Sequence, residues 1–294
     1  MSKKIGVDIG GTTIKLAVLD EKGQILKKGC IPTPYSDLHA MTQEIGKWIG
    51  SHVPDYRELP IGIACAGSIH PDTQLLSADN LGLRNVPLQK QIEEVLRCSV
   101  AVSQDAHAAM IAEWKYGSLQ GANYAVYLIL GTGVGGDALI DGKPYRLVKH
   151  SAMEFGHMIT HPNGEPCPCG ERGCYERYAS ASALVRRVPG AKSAREIIDN
   201  VQRGNPEVLT IWETYVEEIC IGILNLCRIF QPEKLAIGGG ISQVGSFLLN
   251  SILKELEKHP FWNSCHTELV LGSLGNDAGV IGAAAIAEAK DSLC

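Results

Sequence analysis

The stretch KIGVDIGGTTIKLAVLDEKG at residues 4–23 has a counterpart in VYLILGTGVGGDALIDGK at residues 126–143. Both stretches are typical of a buried strand, a hairpin rich in glycine and threonine, a second strand and a turn. A chain that builds this unit twice is expected to form two related α/β lobes. Glycine hairpins can bind phosphate through backbone N–H groups and hydroxyls. Two such hairpins facing each other across a cleft would hold the phosphate chain of a nucleotide.

The first hairpin contains Gly10, Gly11, Thr12 and Thr13, directly after a strand that carries Asp8 near its end. It joins two strands, whereas a Walker-type phosphate loop opens a helix with the pattern G-x-x-x-x-G-K-[ST]. Asp8 could face a magnesium ion through water. A plain tight turn with a solvated aspartate explains the same residues equally well, so the motif alone leaves both interpretations open.

Two further strand ends carry candidate functional residues. A short strand at 99–103 runs into Gln104 and Asp105, and a helix follows at 106–116. Aspartate is a preferred N-cap, and capping is the favoured interpretation of Asp105 taken alone. An ionised carboxylate there would also suit a base that accepts a hydroxyl proton. The segment EKLAIGGGI at 233–241 ends a strand on three glycines before a helix, which is typical of a nucleotide site or of a close strand–helix crossover.

A metal site is predicted in MEFGHMITHPNGEPCPCGERGCYERYAS, residues 153–180. Its three cysteines have the spacing C-x-C-x4-C, and the glycines between them permit tight turns around one small ion. Thiolates with an imidazole favour tetrahedral zinc, and four protein ligands indicate a structural ion without a water position. Such an ion would fix Glu154 and Glu176 for a polar ligand, although buried thiols or a disulfide with a spare cysteine are the alternative. The predicted ligands are His157, with His161 as its rival, and Cys167, Cys169 and Cys174.

Composition narrows the class of protein. The 294 residues are 45% hydrophobic and 20% charged, with a formal net charge of -5 and no run of basic residues, which argues against a nucleic-acid partner. The apolar region 125–140 is broken by glycines and Asp137, so no membrane span is expected. The first residues lack the apolar core of a signal peptide, and we expect a cytoplasmic protein. The other seven of the ten cysteines do not form a disulfide framework and are expected to be free thiols.

Hydrophobic periodicity predicts the larger elements. An amphipathic helix is expected over 36–50 with Ser36 as its N-cap, and residues 68–86 are expected to be loop. A long helix is expected over 206–230, with Leu209 among the residues of its buried stripe. The last residues form a helix of small apolar side chains.

Six motifs occur in order over nearly the whole chain, and together they resemble the ROK family of repressors, open reading frames and kinases. The segment with the cysteines is the most specific of them. The resemblance implies the actin-like ATPase, or ribonuclease-H-like, α/β fold of two lobes with a central cleft. The N-terminal lobe would span 1–118 and include the C-terminal helix at about 278–294, and the C-terminal lobe would span 119–277 with the zinc-binding loop. The motifs are DIGGTTIK (8–15), GTGVGG (131–136), EFGH (154–157), CPCGERGC (167–174), YERYAS (175–180) and GGGI (238–241).

Repressor members of the family carry an N-terminal helix-turn-helix, whereas this chain begins at the first strand. The resemblance therefore implies a kinase that uses ATP and Mg²⁺ to phosphorylate the C6 hydroxyl of a hexose, with Asp105 as general base in place of a role in capping alone. A homodimer is expected because members are often dimers. Residues implied in sugar binding are Gly67, Asn80, Gln104, Asp105, Glu154, His157 and Glu176. Residues implied around ATP are Asp8, Gly10, Gly11, Thr12, Thr13, Lys15, Thr132, Gly133, Gly239 and Gly240.

Three positions depart from the family pattern. Gln104 stands where asparagine is usual, Met153 where glycine is usual before the EFGH segment, and Asp137 where a further glycine is usual. These departures leave the reaction class intact and weaken an assignment to plain glucose, so a kinase of allose or N-acetylmannosamine is an alternative. A sugar-sensing regulator without turnover is the alternative from another class, which the intact Asp105 disfavours. A zinc-knuckle interaction module is a third, against which the flanking glutamates argue.

Overall fold

The computed structural model describes residues 3–70, 73–145 and 153–288 and divides them into two compact units. The first unit holds the described residues up to 120, with Pro144, Tyr145 and 277–288. The second unit holds 121–143 and 153–276. The sequence places the corresponding boundaries at 118/119 and 277/278.

Both units combine a five-stranded sheet with helices. The strands are β1 (Lys4–Ile9), β2 (Thr13–Leu19), β3 (Ile25–Pro32), β4 (Ile61–Cys65), β5 (Ser68–Ile69), β6 (Leu76–Ala78), β7 (Leu83–Val86), β8 (Ala101–Gln104), β9 (Ala125–Leu130), β10 (Val134–Ile140), β11 (Lys143–Pro144), β12 (Lys234–Gly238) and β13 (Glu268–Leu271). The α-helices are α1 (Leu38–His52), α2 (Leu88–Leu96), α3 (Asp105–Tyr116), α4 (Glu176–Ala179), α5 (Ala181–Arg187), α6 (Ala194–Gln202), α7 (Pro206–Phe230), α8 (Ser246–Leu256), α9 (Pro260–Ser264) and α10 (Ala278–Glu288). Among these described residues, no helix is both long enough and apolar enough to cross a membrane.

The two main sheets repeat one strand order, which explains the repeated sequence. The first sheet runs β3-β2-β1-β4-β8 and the second runs β11-β10-β9-β12-β13. In each, an antiparallel hairpin supplies the middle strand, and two parallel strands follow on its other side. The predicted pair of related α/β units is therefore confirmed at the level of strand order.

The parallel strands bring candidate residues to one edge of the first sheet. Asp8 of β1 is in register with Ala64 of β4, and Cys65 is in register with Gln104 of β8. Because parallel strands end at the same edge of a sheet, Asp8 and the Gln104–Asp105 step lie along one edge. The first glycine hairpin leaves from this edge as well.

Helix α10 packs on β1, β4 and α3, inside the first unit. Gly6 and Gly62 make this close approach possible, since an added Cβ would lie 2.0 Å from the Val280 carbonyl oxygen and 1.7 Å from that of Ala283. A helix of small residues and strands with glycines at the contact are thus complementary parts of one core.

Two local predictions in the first unit are wrong. Helix α1 begins at Leu38, and its N-cap is Asp37, whose side chain accepts from Ala40 N, while Ser36 takes a positive φ of 57° before it. Residues 68–86 contain the three-stranded antiparallel sheet β5-β6-β7 in place of a loop. Strands of two to four residues are too short to show an alternating pattern, so the sequence gives no signal for them.

The core of the second unit is built around α7. Its bounds agree with the predicted 206–230, and Trp212, Ile219 and Ile223 are buried as expected. Leu209 is 40% exposed, so its assignment to the buried stripe is wrong. In this first turn of α7 the preceding residue, Val208, faces the core instead and is 7% exposed.

Candidate functional site

In the first unit, the hairpin between β1 and β2 is tight and exposed. Gly10 N donates to Thr13 O at 3.1 Å, and the Thr33 hydroxyl donates to Gly10 O at 2.8 Å. Gly11, Thr12 and Thr13 are exposed at its tip. This arrangement leaves backbone and hydroxyl groups exposed, as a phosphate-binding hairpin requires.

Asn80 and Gly67 lie in the same unit as this hairpin. A Cβ added at Gly11 would lie 3.6 Å from Asn80 Nδ2, so the amide is next to the hairpin. Gly67 has φ +120°, and a Cβ there would lie 2.5 Å from Ser77 O. The turn after β4 therefore requires glycine and places its backbone against the strand that leads to Asn80.

Asp8 is a largely buried carboxylate that faces Lys15. Lys15 Nζ lies 3.6 Å from Asp8 Oδ2. Burial raises the pKa of Asp8, the charge of Lys15 lowers it, and the nearby Asp277 raises it again. Excess negative charge at this edge of the sheet is what a site for a divalent cation requires.

Asp105 is the first residue of α3, and Gln104 is its N-cap. Gln104 Oε1 accepts from Ala106 N at 2.8 Å and from His107 N at 3.2 Å, so the capping role belongs to Gln104, in correction of the interpretation of Asp105 as the cap. Asp105 Oδ1 accepts from Ala106 N. Burial, and next the charge of Asp8, raise the pKa of Asp105 from 3.8 to about 6. A carboxylate with this pKa is matched to proton abstraction near neutral pH.

In the second unit, the four predicted metal ligands come together. One ligand atom from each of them lies within 4.8 Å of every other. Cys167 Sγ is 3.8 Å from His157 Nδ1, and Cys169 Sγ is 3.6 Å from Cys174 Sγ. A zinc–sulfur bond of about 2.3 Å implies tetrahedron edges of about 3.8 Å, so the donor set and spacing fit zinc.

Glycine turns fold the cysteines around this point. Cys167 N donates to Glu171 O, and Gly170 has φ +100°. Gly173 has φ +79°, and the backbone of Cys174 forms an isolated antiparallel β-bridge with that of Ile159. The two arms of the loop thus meet just before the last cysteine.

Cys167 belongs to the cluster, whereas the rival histidine, His161, lies outside it. Burial raises the pKa of Cys167 to about 12, so binding of a metal would release its proton. His161 stands apart from the cluster, with its Nε2 3.5 Å from Glu218. The nine cysteines in the described ranges are free thiols.

Glu154 and Glu176 lie next to the four candidate metal ligands, one of which is His157. His157 Nε2 lies 3.8 Å from Glu154 Oε2, while its Nδ1 faces the cysteines. Cys167 Sγ donates to Glu176 Oε1 at 3.2 Å. A Cβ added at Gly133 would lie 2.7 Å from Glu176 Oε2. One local surface therefore carries two carboxylates, an imidazole nitrogen and the second glycine hairpin.

The two glycine segments of the second unit lie at one edge of its sheet. Gly238 of β12 is in register with Ile129 of β9, so the hairpin with Thr132 and the turn with Gly239 leave the same end. Gly239 has φ +86°, and a Cβ there would lie 2.4 Å from Leu130 O. A Cβ at Gly240 would meet no atom within 4 Å, so the turn exposes backbone there, as a phosphate-bearing ligand needs.

The departures from the family pattern have different structural settings. Asp137 is buried in β10 and accepts from Ala138 N. Met153 packs against the core of the second unit.

Asp277 is an acid near Asp8 that sequence reasoning missed, and its position directly before α10 was the available signal.

Comparison with known proteins assigns the class. A profile of the ROK family matches residues 4–290. A glucokinase of Halalkalibacterium halodurans is 33% identical over 305 aligned residues, covering 95% of this chain and 92% of the relative. A xylose repressor of Bacillus spizizenii is 28% identical, covering 96% of this chain and 76% of the repressor. The crystal structure of a ROK family glucokinase from Streptomyces griseus in complex with glucose and AMPPNP has a TM-score of 0.85 at 30% identity, covering 98% and 99% of the two chains.

The fold is therefore that of the actin-like ATPases. Within that class, this chain belongs to the ROK family, as its motifs indicate.

Proposed function

We propose that this chain is an ATP-dependent hexose kinase that transfers the γ-phosphoryl group to the C6 hydroxyl, with Asp105 as general base. Full-length similarity to glucokinases supports the reaction class. The observation that carries the assignment of the base is the raised pKa of Asp105, about 6, at the start of α3 beside Asp8. Phosphoryl transfer needs positioning and neutralisation of charge more than covalent chemistry, which agrees with a site built from carboxylates and glycine turns.

Residues of the first unit would serve ATP and the reacting hydroxyl. Asp8, paired with Lys15, would bind Mg²⁺ through water, and Mg²⁺ would neutralise charge on the phosphates. The exposed Gly11 and Thr12 would contact phosphate with their N–H and hydroxyl groups. Asn80, next to Gly11, would orient the sugar.

Residues of the second unit would bind the other sugar hydroxyls around a structural zinc ion. Zinc would be held by the four clustered ligands and would supply rigidity to the loop. His157 would use Nδ1 for the metal, which leaves Nε2, near Glu154, for a hydroxyl. A metal-bound imidazole commonly donates its second N–H to an oxygen. The nucleotide site would be lined by Thr132, Gly133, Gly239 and Gly240.

The sugar is proposed to be glucose or a close relative, with allose and N-acetylmannosamine as alternatives. Gln104 caps α3 with its side-chain oxygen, which accepts two backbone hydrogen bonds. Its side-chain NH₂ group would then be the part that contacts the sugar. Because this NH₂ group only donates hydrogen bonds, it would favour sugars that place a hydroxyl oxygen within its reach. This is a reason to test sugars that differ at a single hydroxyl.

A sugar-sensing regulator is the second candidate function. The similarity to a xylose repressor favours it, since that relative aligns with 96% of this chain. The raised pKa of Asp105 favours turnover instead, because a sensor has no need of a base near neutrality.

A coupled ADP-release assay over glucose, mannose, allose, fructose and the N-acetylated amino sugars tests the proposal. We expect turnover of at least one hexose, strictly dependent on Mg²⁺. Retained sugar binding by calorimetry without turnover of any sugar would favour the regulator. We also propose a cytoplasmic homodimer, which light scattering on the purified protein would test. Free thiols in the described ranges agree with a reducing compartment.

A further inference from the structure

His161 lies four residues after His157 and is bonded to the far arm of the metal loop. Its backbone N–H and that of Thr160 both donate to Gly173 O, at 3.2 Å and 3.0 Å. A Cβ added at Gly173 would lie 1.7 Å from His161 O, so the two arms touch here. This contact comes one residue before Cys174, and a shift of His161 would therefore be transmitted to both a histidine and a cysteine of the cluster.

The imidazole of His161 is fixed by two other helices. Its ring stacks on Tyr178 of α4 with centroids 3.8 Å apart and an interplanar angle of 22°. Its Nε2 lies 3.5 Å from Glu218 Oε1 of α7, and its Nδ1 is 3.0 Å from the Thr160 hydroxyl. The Tyr178 hydroxyl in turn accepts from Glu165 N at 2.8 Å, within the loop.

Glu218 is the acidic partner of two basic side chains. Its side chain is only 12% exposed, and the same oxygen lies 3.5 Å from Nη2 of Arg187, the last residue of α5. Burial raises the pKa of Glu218, while His161 and then Arg187 lower it. One carboxylate oxygen of α7 therefore lies 3.5 Å from both the loop histidine and Arg187 of α5, so this contact joins three segments of the unit.

We propose that His161 and Glu218 form a latch that holds the metal loop, residues 157–174, against α7 and thereby positions the sugar-binding face of the second unit. The latch acts through α4, because α4 carries both Tyr178, which stacks on His161, and Glu176, which contacts Cys167. His161 and Glu218 are positioning residues. The inference rests on the proposed metal site and extends it to the groups that keep the ligands in place.

The test compares zinc release from wild-type protein, His161→Gln, Glu218→Gln and the double variant into a colorimetric chelator. Each single variant should release zinc about tenfold faster or more, because loss of groups that orient metal ligands typically lowers metal affinity by about 10- to 100-fold. The double variant should be no faster than the faster single variant, since both changes remove one contact. The KM for the hexose should rise in all three, with the KM for ATP unchanged.

Glu217→Gln is the matched control, because it removes the same charge from an exposed position one residue away on α7. It should release zinc at the wild-type rate. If Glu218→Gln released zinc as slowly as this control, or if the two single effects multiplied in the double variant, the latch would be overturned.

Two outcomes concern the metal and the folding of the variants. Wild-type protein without stoichiometric zinc would overturn the metal site and the latch with it, which separates that failure from failure of the latch alone. If His161→Gln does not fold by circular dichroism, Tyr178→Leu removes the stacking contact from the other side of the ring and should also release zinc faster. A wild-type release rate in that variant would contradict the latch.

Discussion

At the scale of single residues, Asp105 and Gln104 divide two tasks that the sequence assigns to one position. The glutamine oxygen caps α3, and the aspartate is left with a raised pKa beside Asp8. An aspartate that served only as a cap would be stabilised in its charged form, and its pKa would fall. The raised pKa therefore argues against a role for Asp105 in capping alone and agrees with the proposed base.

Asp105→Asn should lower kcat by about 10² to 10⁴, the usual contribution of a general base, while the affinity for the hexose is largely kept. Steady-state kinetics and calorimetry measure the two quantities. Asp55→Asn changes an exposed aspartate of the same unit and should behave as wild type. Near-normal kcat in Asp105→Asn would contradict the assignment of the base.

The pH profile follows from the same pKa. With the pKa of Asp105 at about 6, kcat/KM should fall about tenfold per pH unit as pH drops below 6. The folded-state pKa lies above the unfolded one, so the unfolded chain loses this proton first as pH rises. Asp105 therefore costs stability as pH rises from about 4 to 6. The melting temperature of Asp105→Asn relative to wild type should therefore be higher at pH 7 than at pH 4. An equal difference at both pH values would contradict the raised pKa.

At the scale of elements, the contact between α10 and the first sheet depends on the absence of side chains. Gly62 faces the backbone of Ala283, and both partners are main chain, so neither can move aside. A helix of this composition could pack in many places. Glycines on the strands determine where it lies, because only there can the backbones approach so closely.

Gly62→Ala should destabilise the protein by at least about 1–3 kcal/mol, the usual cost of overpacking a core. Gly50→Ala on the exposed face of α1 is the control of opposite sign, since its Cβ meets only Tyr56 at 4.0 Å. It should stabilise the helix by about 0.5–1 kcal/mol. Urea denaturation measures both, and equal stabilities for the two variants would contradict the packing argument.

If zinc binds the four clustered side chains as proposed, the shape of the metal loop should depend on them. Cys169→Ser should lose zinc, measured by atomic emission, and should raise the KM for the hexose because the loop then no longer positions Glu176 and His157. Cys30→Ser changes an exposed thiol of the first unit and should keep both properties. Unchanged sugar affinity in a metal-free Cys169→Ser protein would contradict the proposal that zinc positions the sugar site.

At the scale of the whole molecule, one architecture is used twice with different insertions. Both sheets place a glycine-rich hairpin next to parallel strands that end at the same edge. In the first unit this edge carries two carboxylates, Asp8 and Asp105. The second unit has the metal loop in addition. The duplication supplies two similar sheet edges, which we propose contact phosphate, and the residues around them differ between the units.

The correct sugar should stabilise the folded molecule by mass action. At about 100 times its Kd, the expected gain is about 2.7 kcal/mol, visible as a rise in melting temperature. Sugars that are not substrates should leave the melting temperature unchanged. A substrate by the kinetic assay that caused no shift at saturating concentration would contradict a preformed sugar site.

The sequence alone determined the repeated α/β units, the long helix α7 and the four-ligand cluster, because each depends on local periodicity or on closely spaced residues. It missed the short sheet β5-β6-β7 and placed Leu209 in the core, since burial at the end of an element depends on neighbours distant in the chain. Only the tertiary structure assigned the capping of α3 to Gln104, separated His161 from the cluster, and raised the pKa of Asp105. Those properties arise from desolvation and from contacts between separate strands and helices, which a linear pattern does not contain.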